Sequence, residues 1–430
     1  MSRYLLIGSG VAAIAAAETL RERDANSEIL LLSEDQHGYY SRPGLAYLLT
    51  GELDETQLFP FQKKDFQRLD AAILHESAAQ ILPPEHQVIT HTGRRLSYDR
   101  LLIAVGARAN LLSLPGSQAG NAFKLDDLDD TKRLLKAARR GRTAVVTGGG
   151  ITGLELAEGL LHRGMKVHFV FRDTRYWPSV LDEAESEIVQ NQLMRMGIQL
   201  HYPDEIAEIL LRGNQAVGVR LASGGTIACD LFAYAIGIRP RTELAAAAGV
   251  TCERGILVDE GMRTNQADIF AAGDCAAVYD PVQKRYQLDS LWNPAREQGK
   301  TAALSMLGLP AVYNKPSALN VTRLGGVTTT IIGEVRRTSG PANQMVRGES
   351  DTWQIVPDAV VAEIGCEVDR IRLMVGKRAI LGALVMGDQR YSPIFQRLIE
   401  QRVDISPIRP QLLALDAQVL KILAGYQPPD

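Results

Sequence analysis

The stretch 4-YLLIGSGVAAIAAAETLRER-23, followed by 29-ILLLSED-35, decides the fold of this 430-residue chain. An apolar run of strand length meets a glycine turn, an alanine-rich helical pattern follows, and a second apolar run completes a βαβ unit. The pattern returns at 143-TAVVTGGGITGLELAEGLLHRG-164 with 166-KVHFVFR-172, and its glycine turn starts 140 residues after the first. The sequence therefore predicts two similar nucleotide-binding modules.

The first glycine turn has the form G-x-G-x-x-A, which is typical of dinucleotide binding. The first glycine permits a tight turn, the second lets a pyrophosphate approach the backbone, and the alanine lets helix and strand pack closely. Helix-terminal amides then face the phosphate charge. The predicted binding residues of the turn are Gly8, Gly10, Val11, Ala12 and Ala13. Glu34, at the end of the second strand, is placed to accept hydrogen bonds from a ribose diol.

The second glycine turn, 148-GGGITG-153, repeats this arrangement. Its predicted binding residues are Gly148, Gly150, Ile151 and Gly153. At the end of the following strand, where an NAD-selective site carries an acid, the chain has Arg172. A guanidinium pairs bidentately with a 2′-phosphate, whereas a carboxylate repels it. The sequence therefore favours NADPH, with a solvated loop arginine as the alternative interpretation.

The charge and cysteine content of the chain exclude several function classes. A formal net charge of −3 lacks the excess of basic residues that is typical of nucleic-acid-binding proteins. The four cysteines lack paired spacing, which speaks against a disulfide framework, a zinc site or a redox pair, and we predict no metal. The apolar runs are too short for a transmembrane segment, and no signal peptide precedes Tyr4. We therefore expect a soluble, cytoplasmic protein.

Five motifs, in this order, resemble the two-dinucleotide-binding-domain flavoproteins of the pyridine nucleotide-disulfide oxidoreductase superfamily. They are the first glycine turn, 101-LLIAVGA-107, the second glycine turn, 234-YAIGIRP-240 and 269-IFAAGDCA-276. The sequence is similar to the branch with rubredoxin and ferredoxin reductases and the flavin module of the nitrite reductase large subunit. The resemblance implies FAD at the first turn and NAD(P)H at the second. It also implies cofactor contacts from Ala104, Gly106, Gly237, Gly273, Asp274, Leu291 and Trp292.

The fold class implied is α/β, with two Rossmann-like dinucleotide-binding domains and a smaller α+β C-terminal domain. We predict an FAD-binding domain at residues 1–112 and 240–311, with an NAD(P)H-binding domain inserted at 113–239. A β-rich C-terminal domain is predicted at 312–430, and its resemblance to the tail domains of the nitrite reductase-like branch implies that it serves subunit contacts, in a homodimer or a larger complex. Its stretch 370-RIRLMVGKRAILGALVMG-387 predicts a hairpin, and a helical region is expected from about Ser392.

The stretch 38-GYYSRPGLAYLL-49 falls where the resemblance implies a redox cysteine or a lysine beside the flavin, and it contains neither. Glu155 matches the family glutamate that orients the nicotinamide amide. The position of its lysine partner is Tyr47 here, and Arg42 is the cation of this stretch. The implied catalytic set is Glu155, Arg42 and Tyr47, and Arg42 and Pro43 are also expected to contact FAD.

Without a thiol in that stretch, electrons must leave the flavin directly for a separate acceptor. The leading hypothesis is an FAD-dependent NAD(P)H oxidoreductase that passes electrons to a redox protein partner. One alternative is an NAD(P)H oxidase that acts directly on oxygen. Another is a flavin-binding assembly subunit of a larger redox complex, with a vestigial NAD site.

Overall fold

The computed structural model describes residues 2–281, 283–337, 346–414 and 416–426. The chain divides into two compact units. The first comprises Met1–Leu48, Glu52–Arg108 and Ile238–Lys315, and the second comprises Leu49–Gly51, Ala109–Gly237 and Pro316–Asp430. The second unit contains both the predicted NAD(P)H-binding domain and the C-terminal segment, so the three-domain division stays a prediction.

A five-stranded parallel sheet forms the centre of the first unit. Its strands, in spatial order, are Ile269–Ala271, Arg100–Ile103, Arg3–Ile7, Glu28–Leu32 and Ala72–Leu74. The middle strand is almost wholly apolar and buried, as expected for a parallel strand covered on both faces. The helix Val11–Arg23 connects Arg3–Ile7 to Glu28–Leu32, which confirms the first predicted βαβ unit.

Shorter strands and helices complete the first unit and the segments where the chain passes to or from the second unit. The remaining strands are Ala78–Leu82, Gln87–Thr90, Arg95–Ser97, Ala107–Ala109, Ile238–Pro240, Ile256–Val258, Ala276–Asp280 and Arg285–Gln287. The remaining helices are Gly44–Thr50, Lys63–Leu69, Glu243–Ala247 and Trp292–Met306, with 3-10 turns at Glu55–Leu58 and Pro83–Glu85. The helix Trp292–Met306 packs closely on Val11–Arg23. Gly299 allows this approach, since a Cβ there would overlap the backbone oxygen of Ala12.

The second unit contains a similar parallel sheet. Its strands, in spatial order, are Gln199–His201, Lys166–Val170, Thr143–Thr147, Leu231–Tyr234 and Ala122–Lys124. The helix Ile151–His162 links two of these strands and confirms the second predicted βαβ unit. The unit also has helices Leu128–Ala137 and Glu183–Met196 and an antiparallel sheet of Ile206–Arg212, Gln215–Leu221 and Thr226–Ala228.

The C-terminal part of the second unit is built on a five-stranded antiparallel sheet. Its spatial order is Leu319–Leu324, Val327–Gly333, Ile380–Met386, Asp369–Val375 and Val360–Cys366. The pairing of Asp369–Val375 with Ile380–Met386 confirms the predicted hairpin. Helices follow from Ser392, as predicted, at Ser392–Glu400, Arg409–Leu413 and Ala417–Gly425, and 3-10 turns lie at Asp351–Gln354 and Ser406–Ile408.

A buried ion pair joins the C-terminal sheet to the helix Glu183–Met196 within the second unit. Nε and Nη2 of Arg372 donate to the two carboxylate oxygens of Glu185 at 2.8 and 3.0 Å, and both side chains are essentially inaccessible to solvent. The Arg372 guanidinium also donates to the backbone oxygens of Val180 and Val335. A bidentate pair with further hydrogen bonds offsets the cost of burying both charges.

Across the described ranges, no helix is long and apolar enough to cross a membrane.

Candidate functional site

The first glycine turn presents an open helix N-terminus. Gly8 has a φ of +123°, and a Cβ there would overlap the backbone oxygen of Ala104, so only glycine fits this turn. Gly10 is the extended N-cap residue of the helix Val11–Arg23 and has no side-chain cap. A Cβ on Gly10 would meet no protein atom within 4 Å. The first N–H groups of this helix have no intrahelical acceptor and Gly10 has no side chain to cap them, an arrangement that suits a phosphate.

Two other predicted segments converge on this turn within the first unit. Ala104 closes the strand end beside Gly8, and Gly106 adopts a left-handed φ of +67°. A Cβ on Gly273, itself at φ +82°, would lie 3.2 Å from the Cβ of Ala12. The structure thus brings the motifs at 101–107 and 269–276 together with the first glycine turn.

Gln298 was not predicted from the sequence, although it supports this site. Its buried Oε1 accepts a hydrogen bond of 2.8 Å from the backbone N–H of Gly273. The bond fixes the loop before Asp274, the residue that the resemblance implies for FAD binding. A glutamine inside an otherwise ordinary helix carries no sequence signal for this long-range role.

Glu34 lies two residues after the strand Glu28–Leu32, close to its predicted place at the strand end, and its carboxylate already has two partners. One oxygen forms an ion pair with Arg241, and the other accepts from the Ser77 hydroxyl at 3.2 Å. Burial disfavours ionisation, but the hydrogen bond and charge of Arg241 outweigh it and hold the pKa of Glu34 below its ordinary value. The carboxylate is therefore ionised, as an acceptor of ribose hydroxyls needs to be.

The stretch 38–49 packs around two buried tyrosines, Tyr39 and Tyr40. Arg42 forms an ion pair with Asp35 at 3.5 Å, and its guanidinium carbon lies 5.4 Å from the centre of the Tyr40 ring. The Tyr47 side chain is partly exposed.

Pro43 is exposed and immediately precedes the helix Gly44–Thr50. Leu291 is the N-cap of the helix Trp292–Met306, which lacks a side-chain cap. Trp292 is 42% exposed. Burial raises the pKa of the Tyr39 hydroxyl, and the side chain of Trp292 opposes this effect. Trp292 therefore acts on the stretch 38–49, although the two are far apart in sequence.

None of the four cysteines forms a disulfide. Cys275, in the Gly-Asp motif, is fully buried, and burial raises the pKa of its thiol to about 12. Its sulfur contacts the backbone oxygens of Ile103 and Ala272 at 3.5 and 3.4 Å. A protonated, inaccessible thiol packs as a small apolar group and is a poor nucleophile. Among the described residues, no cluster of histidine, cysteine and acidic side chains suits a metal ion.

The second glycine turn borders a cavity of about 330 Å³ inside the second unit. Gly148 has a φ of +134° and approaches the backbone of Ala235 so closely that no Cβ fits, and Gly153 approaches Gly148 in the same way. Gly150 is the N-cap of the helix Ile151–His162. The cavity is lined by this turn together with Phe171, Arg172, Asp173, Trp177, Gly237 and Glu349.

The charges around the cavity have both signs. The exposed Arg172 lines it, as does the neighbouring Asp173. Asp204 and Glu205 contribute two further carboxyl groups to the same lining. Sequence reasoning identified the arginine but missed Asp204 and Glu205, because these acids follow a different strand.

Three buried or half-buried glutamates act on the hydroxyl of Tyr176, which precedes the cavity residue Trp177 in the chain. Burial raises the pKa values of Glu155, Glu158 and Glu349 to about 7 each. Burial also raises the pKa of Tyr176 well above its ordinary value, and the charges of the three glutamates add to this effect. The Tyr176 hydroxyl is fully buried and has no hydrogen-bond partner among the described residues. Glu349 accepts a hydrogen bond of 2.6 Å from the Trp177 indole.

Two groups from the C-terminal part of the chain act on these carboxyls. The positive charge of Arg347 opposes the effect of burial on Glu155. The backbone N–H of Gly326 donates to Glu158 at 3.1 Å. Glu158 lies one helical turn after Glu155, so helical spacing could have identified it. Arg347 is almost 200 residues away in sequence, and no local pattern points to it.

Comparisons with known proteins agree with this geometry. A family model described as pyridine nucleotide-disulphide oxidoreductase matches residues 2–299. The chain is 31% identical over 311 residues to the 3-phenylpropionate/cinnamic acid dioxygenase ferredoxin–NAD(+) reductase component of Photorhabdus laumondii, covering 71% of this chain and 78% of that protein. It is 33% identical over 312 residues to terpredoxin reductase of a Pseudomonas species, covering 71% and 75%.

A solved structure shows that the fold extends over nearly the whole chain. The crystal structure of the covalent putidaredoxin reductase–putidaredoxin complex has a TM-score of 0.86 at 21% identity, with 98% of both chains covered. The predicted α/β fold class is confirmed.

Proposed function

Because the chain belongs to the pyridine nucleotide-disulphide oxidoreductase family, and is therefore an oxidoreductase, we propose that it passes electrons from NAD(P)H through FAD to a redox protein. FAD is assigned to the first unit and NAD(P)H to the second. The bound cofactors supply the hydride and electron chemistry. The chain itself holds the two groups, orients them and keeps competing reactions away.

The observation that carries the proposal is the open helix end at Gly10. The residues there fit a flavin dinucleotide, because a Cβ on Gly10 would meet no protein atom and Gly273 approaches from the side. A pyrophosphate beside this helix end accepts hydrogen bonds from its free N–H groups and gains from the helix dipole. The ionised Glu34 supports the adjoining ribose assignment.

The second glycine turn supports the assignment of NAD(P)H. Gly148 and Gly153 fit the tight turn of a nucleotide-binding helix, and the adjacent cavity has the size of a small-molecule site. We assign Glu155 to orienting the nicotinamide amide, as the resemblance implies. With a pKa of about 7, its carboxyl group is a hydrogen-bond donor in part of the molecules and an acceptor in the rest.

The acceptor is proposed to be a separate protein with an iron–sulfur or similar centre. The relatives named above are a ferredoxin–NAD(+) reductase component and a terpredoxin reductase. The stretch 38–49 contains no cysteine, and the Cys275 thiol is buried and protonated. These features support direct electron exit rather than a thiol relay.

The nucleotide preference is proposed from the charges at the cavity. Arg172 favours NADPH, because a guanidinium pairs with the 2′-phosphate. The carboxyl groups of Asp173, Asp204 and Glu205 favour NADH, because they repel that phosphate and accept hydrogen bonds from a ribose diol. We retain NADPH as the proposal from the sequence, and the ratio of kcat/KM for the two nucleotides decides between them.

A test of the acceptor uses the FAD-loaded protein with NADPH or NADH and a [2Fe–2S] ferredoxin. We expect ferredoxin reduction to exceed oxygen uptake measured without ferredoxin. Oxygen uptake that accounts for all nucleotide consumption, with no ferredoxin reduction, would identify an oxidase instead. The predicted homodimer or complex is checked separately by the mass of the protein in solution.

A further inference from the structure

The two glycine turns differ at their second glycine. A Cβ built on Gly10 in the first turn meets no protein atom within 4 Å. A Cβ built on Gly150 in the second turn would lie 2.6 Å from Cγ1 and 3.4 Å from Cγ2 of Val346. The second glycine of such a turn is small so that a pyrophosphate reaches the backbone. In the second turn, a valine side chain already fills that space.

Val346 belongs to a short segment, residues 346–349, that we call the strap. Arg347 forms an ion pair with Asp126. The Asn320 side chain donates to the backbone oxygen of Gly348 at 3.1 Å, and a Cβ on Gly348 would lie 3.7 Å from Cδ1 of Ile151. The strap is thus held by three separate contacts within the second unit.

Glu349 closes the strap at the cavity. Glu349 is 5% exposed and lines the cavity, and its carboxyl group accepts the 2.6 Å hydrogen bond from the Trp177 indole. The backbone N–H of Glu349 donates to the oxygen of Val346 at 3.2 Å, which makes the strap a compact turn. Val346 and Glu349 therefore both border the space that a nucleotide at the second turn needs.

We propose that the strap is an autoinhibitory segment, in which Val346 occupies the pyrophosphate position at the start of the helix Ile151–His162. The nicotinamide nucleotide then binds only after the strap has left Gly150. The inference rests on the proposed function, because it takes NAD(P)H as the ligand of the second turn. The apparent Kd exceeds the intrinsic Kd by the inverse of the fraction of molecules whose strap is displaced.

The test measures the Kd of NAD⁺ and of NADP⁺ for the full-length, FAD-loaded protein by titration calorimetry, with no turnover. Val346→Ala removes the two methyl groups that cover Gly150, and we expect the Kd to fall by roughly tenfold. Val346→Phe fills the space further and should raise the Kd. Val321→Ala, at an exposed valine in the same unit, is the matched control and should change nothing. An unchanged or higher Kd for Val346→Ala would overturn the proposal.

Hydrogen exchange of the strap gives an independent readout. We expect the Glu349 amide, which donates to Val346, to exchange faster when NAD⁺ is saturating. Slower exchange would mean that the strap holds the nucleotide, and the autoinhibitory interpretation would be wrong. If the nucleotides bind equally well to all variants, only the strap proposal fails. If neither nucleotide binds wild type or Val346→Ala, the proposed donor of the reaction fails as well.

Discussion

Replacing Glu155 by glutamine tests the unusual electrostatics beside the second glycine turn. Burial raises the pKa of this carboxyl from the ordinary 4.5 to about 7 in the folded protein. Between these values the folded state keeps a proton that the unfolded state releases, so stability falls as the pH rises from 4.5 to 7. Above pH 7 the carboxyl is ionised in both states, and the protein has lost the full amount of stability that burying this charge costs. Glutamine removes the titration while keeping the shape of the side chain.

The size of the effect follows from the pKa. A difference of about 2.5 corresponds to roughly 3 kcal/mol. Solvent reaches part of the Glu155 side chain, and Glu158 titrates in the same range, so the two carboxyls share the effect. We expect Glu155→Gln to gain about 1–2 kcal/mol of stability over wild type at pH 8 and almost nothing at pH 4.5.

Thermal unfolding of the FAD-loaded protein at several pH values measures this gain. At about 2–4 °C per kcal/mol, the unfolding temperature of the variant should exceed that of wild type by several degrees at pH 8. The exposed Glu187→Gln, which also replaces one carboxyl group by an amide, is the matched control and should leave the unfolding temperature close to that of wild type. A Glu155→Gln difference that is the same at pH 5 and pH 8 would refute the reasoning.

In stopped flow, Glu155→Ala should slow flavin reduction while the FAD content stays unchanged, and loss of FAD would indicate a folding role instead.

Further variants test the nucleotide contact of Arg172, the first glycine turn and the buried ion pair of Arg372. If Arg172 contacts a 2′-phosphate, Arg172→Ala raises the KM for NADPH and spares that for NADH, and an equal loss for both would refute the contact. Gly8→Ala should destabilise the first unit, because its Cβ would overlap the backbone of Ala104. Gly10→Ala should leave the fold intact and lower the FAD content, because its Cβ would meet no protein atom within 4 Å. Equal unfolding temperatures for the two variants would contradict this difference between the two positions. Arg372→Met leaves the buried Glu185 carboxylate without its bidentate partner and with only the more distant Arg370 at 3.8 Å, at a cost of about 3–5 kcal/mol, and an unchanged urea midpoint would contradict this.

Local sequence patterns predicted the parts of the site that lie within one βαβ unit. The runs before Gly8 and Gly148 became the central strands of two parallel sheets, because near-continuous apolar segments are stable only when both faces are covered. Both glycines need a positive φ and a close backbone contact, which is a local demand that the sequence records directly.

The sequence did not predict contacts between distant segments. Val346 and Glu349 reach the second glycine turn from about 200 residues away, and no spacing rule connects them to Gly150. The partner of Glu34 is equally remote, since Arg241 arrives from the second half of the first unit. Such contacts depend on how the sheets and crossing chains pack, and an isolated acid or valine looks the same in sequence whether it lines a cavity or faces water.

The central claim is that NAD(P)H reduces an FAD held by this chain, and anaerobic titration of the FAD-loaded protein tests it most directly. The absorbance of oxidised flavin at about 450 nm is followed while NADPH or NADH is added. We expect bleaching with at least one nucleotide and recovery of the absorbance when a ferredoxin acceptor is supplied. Absorbance that stays constant with both nucleotides would contradict the account and favour a flavin-binding assembly subunit.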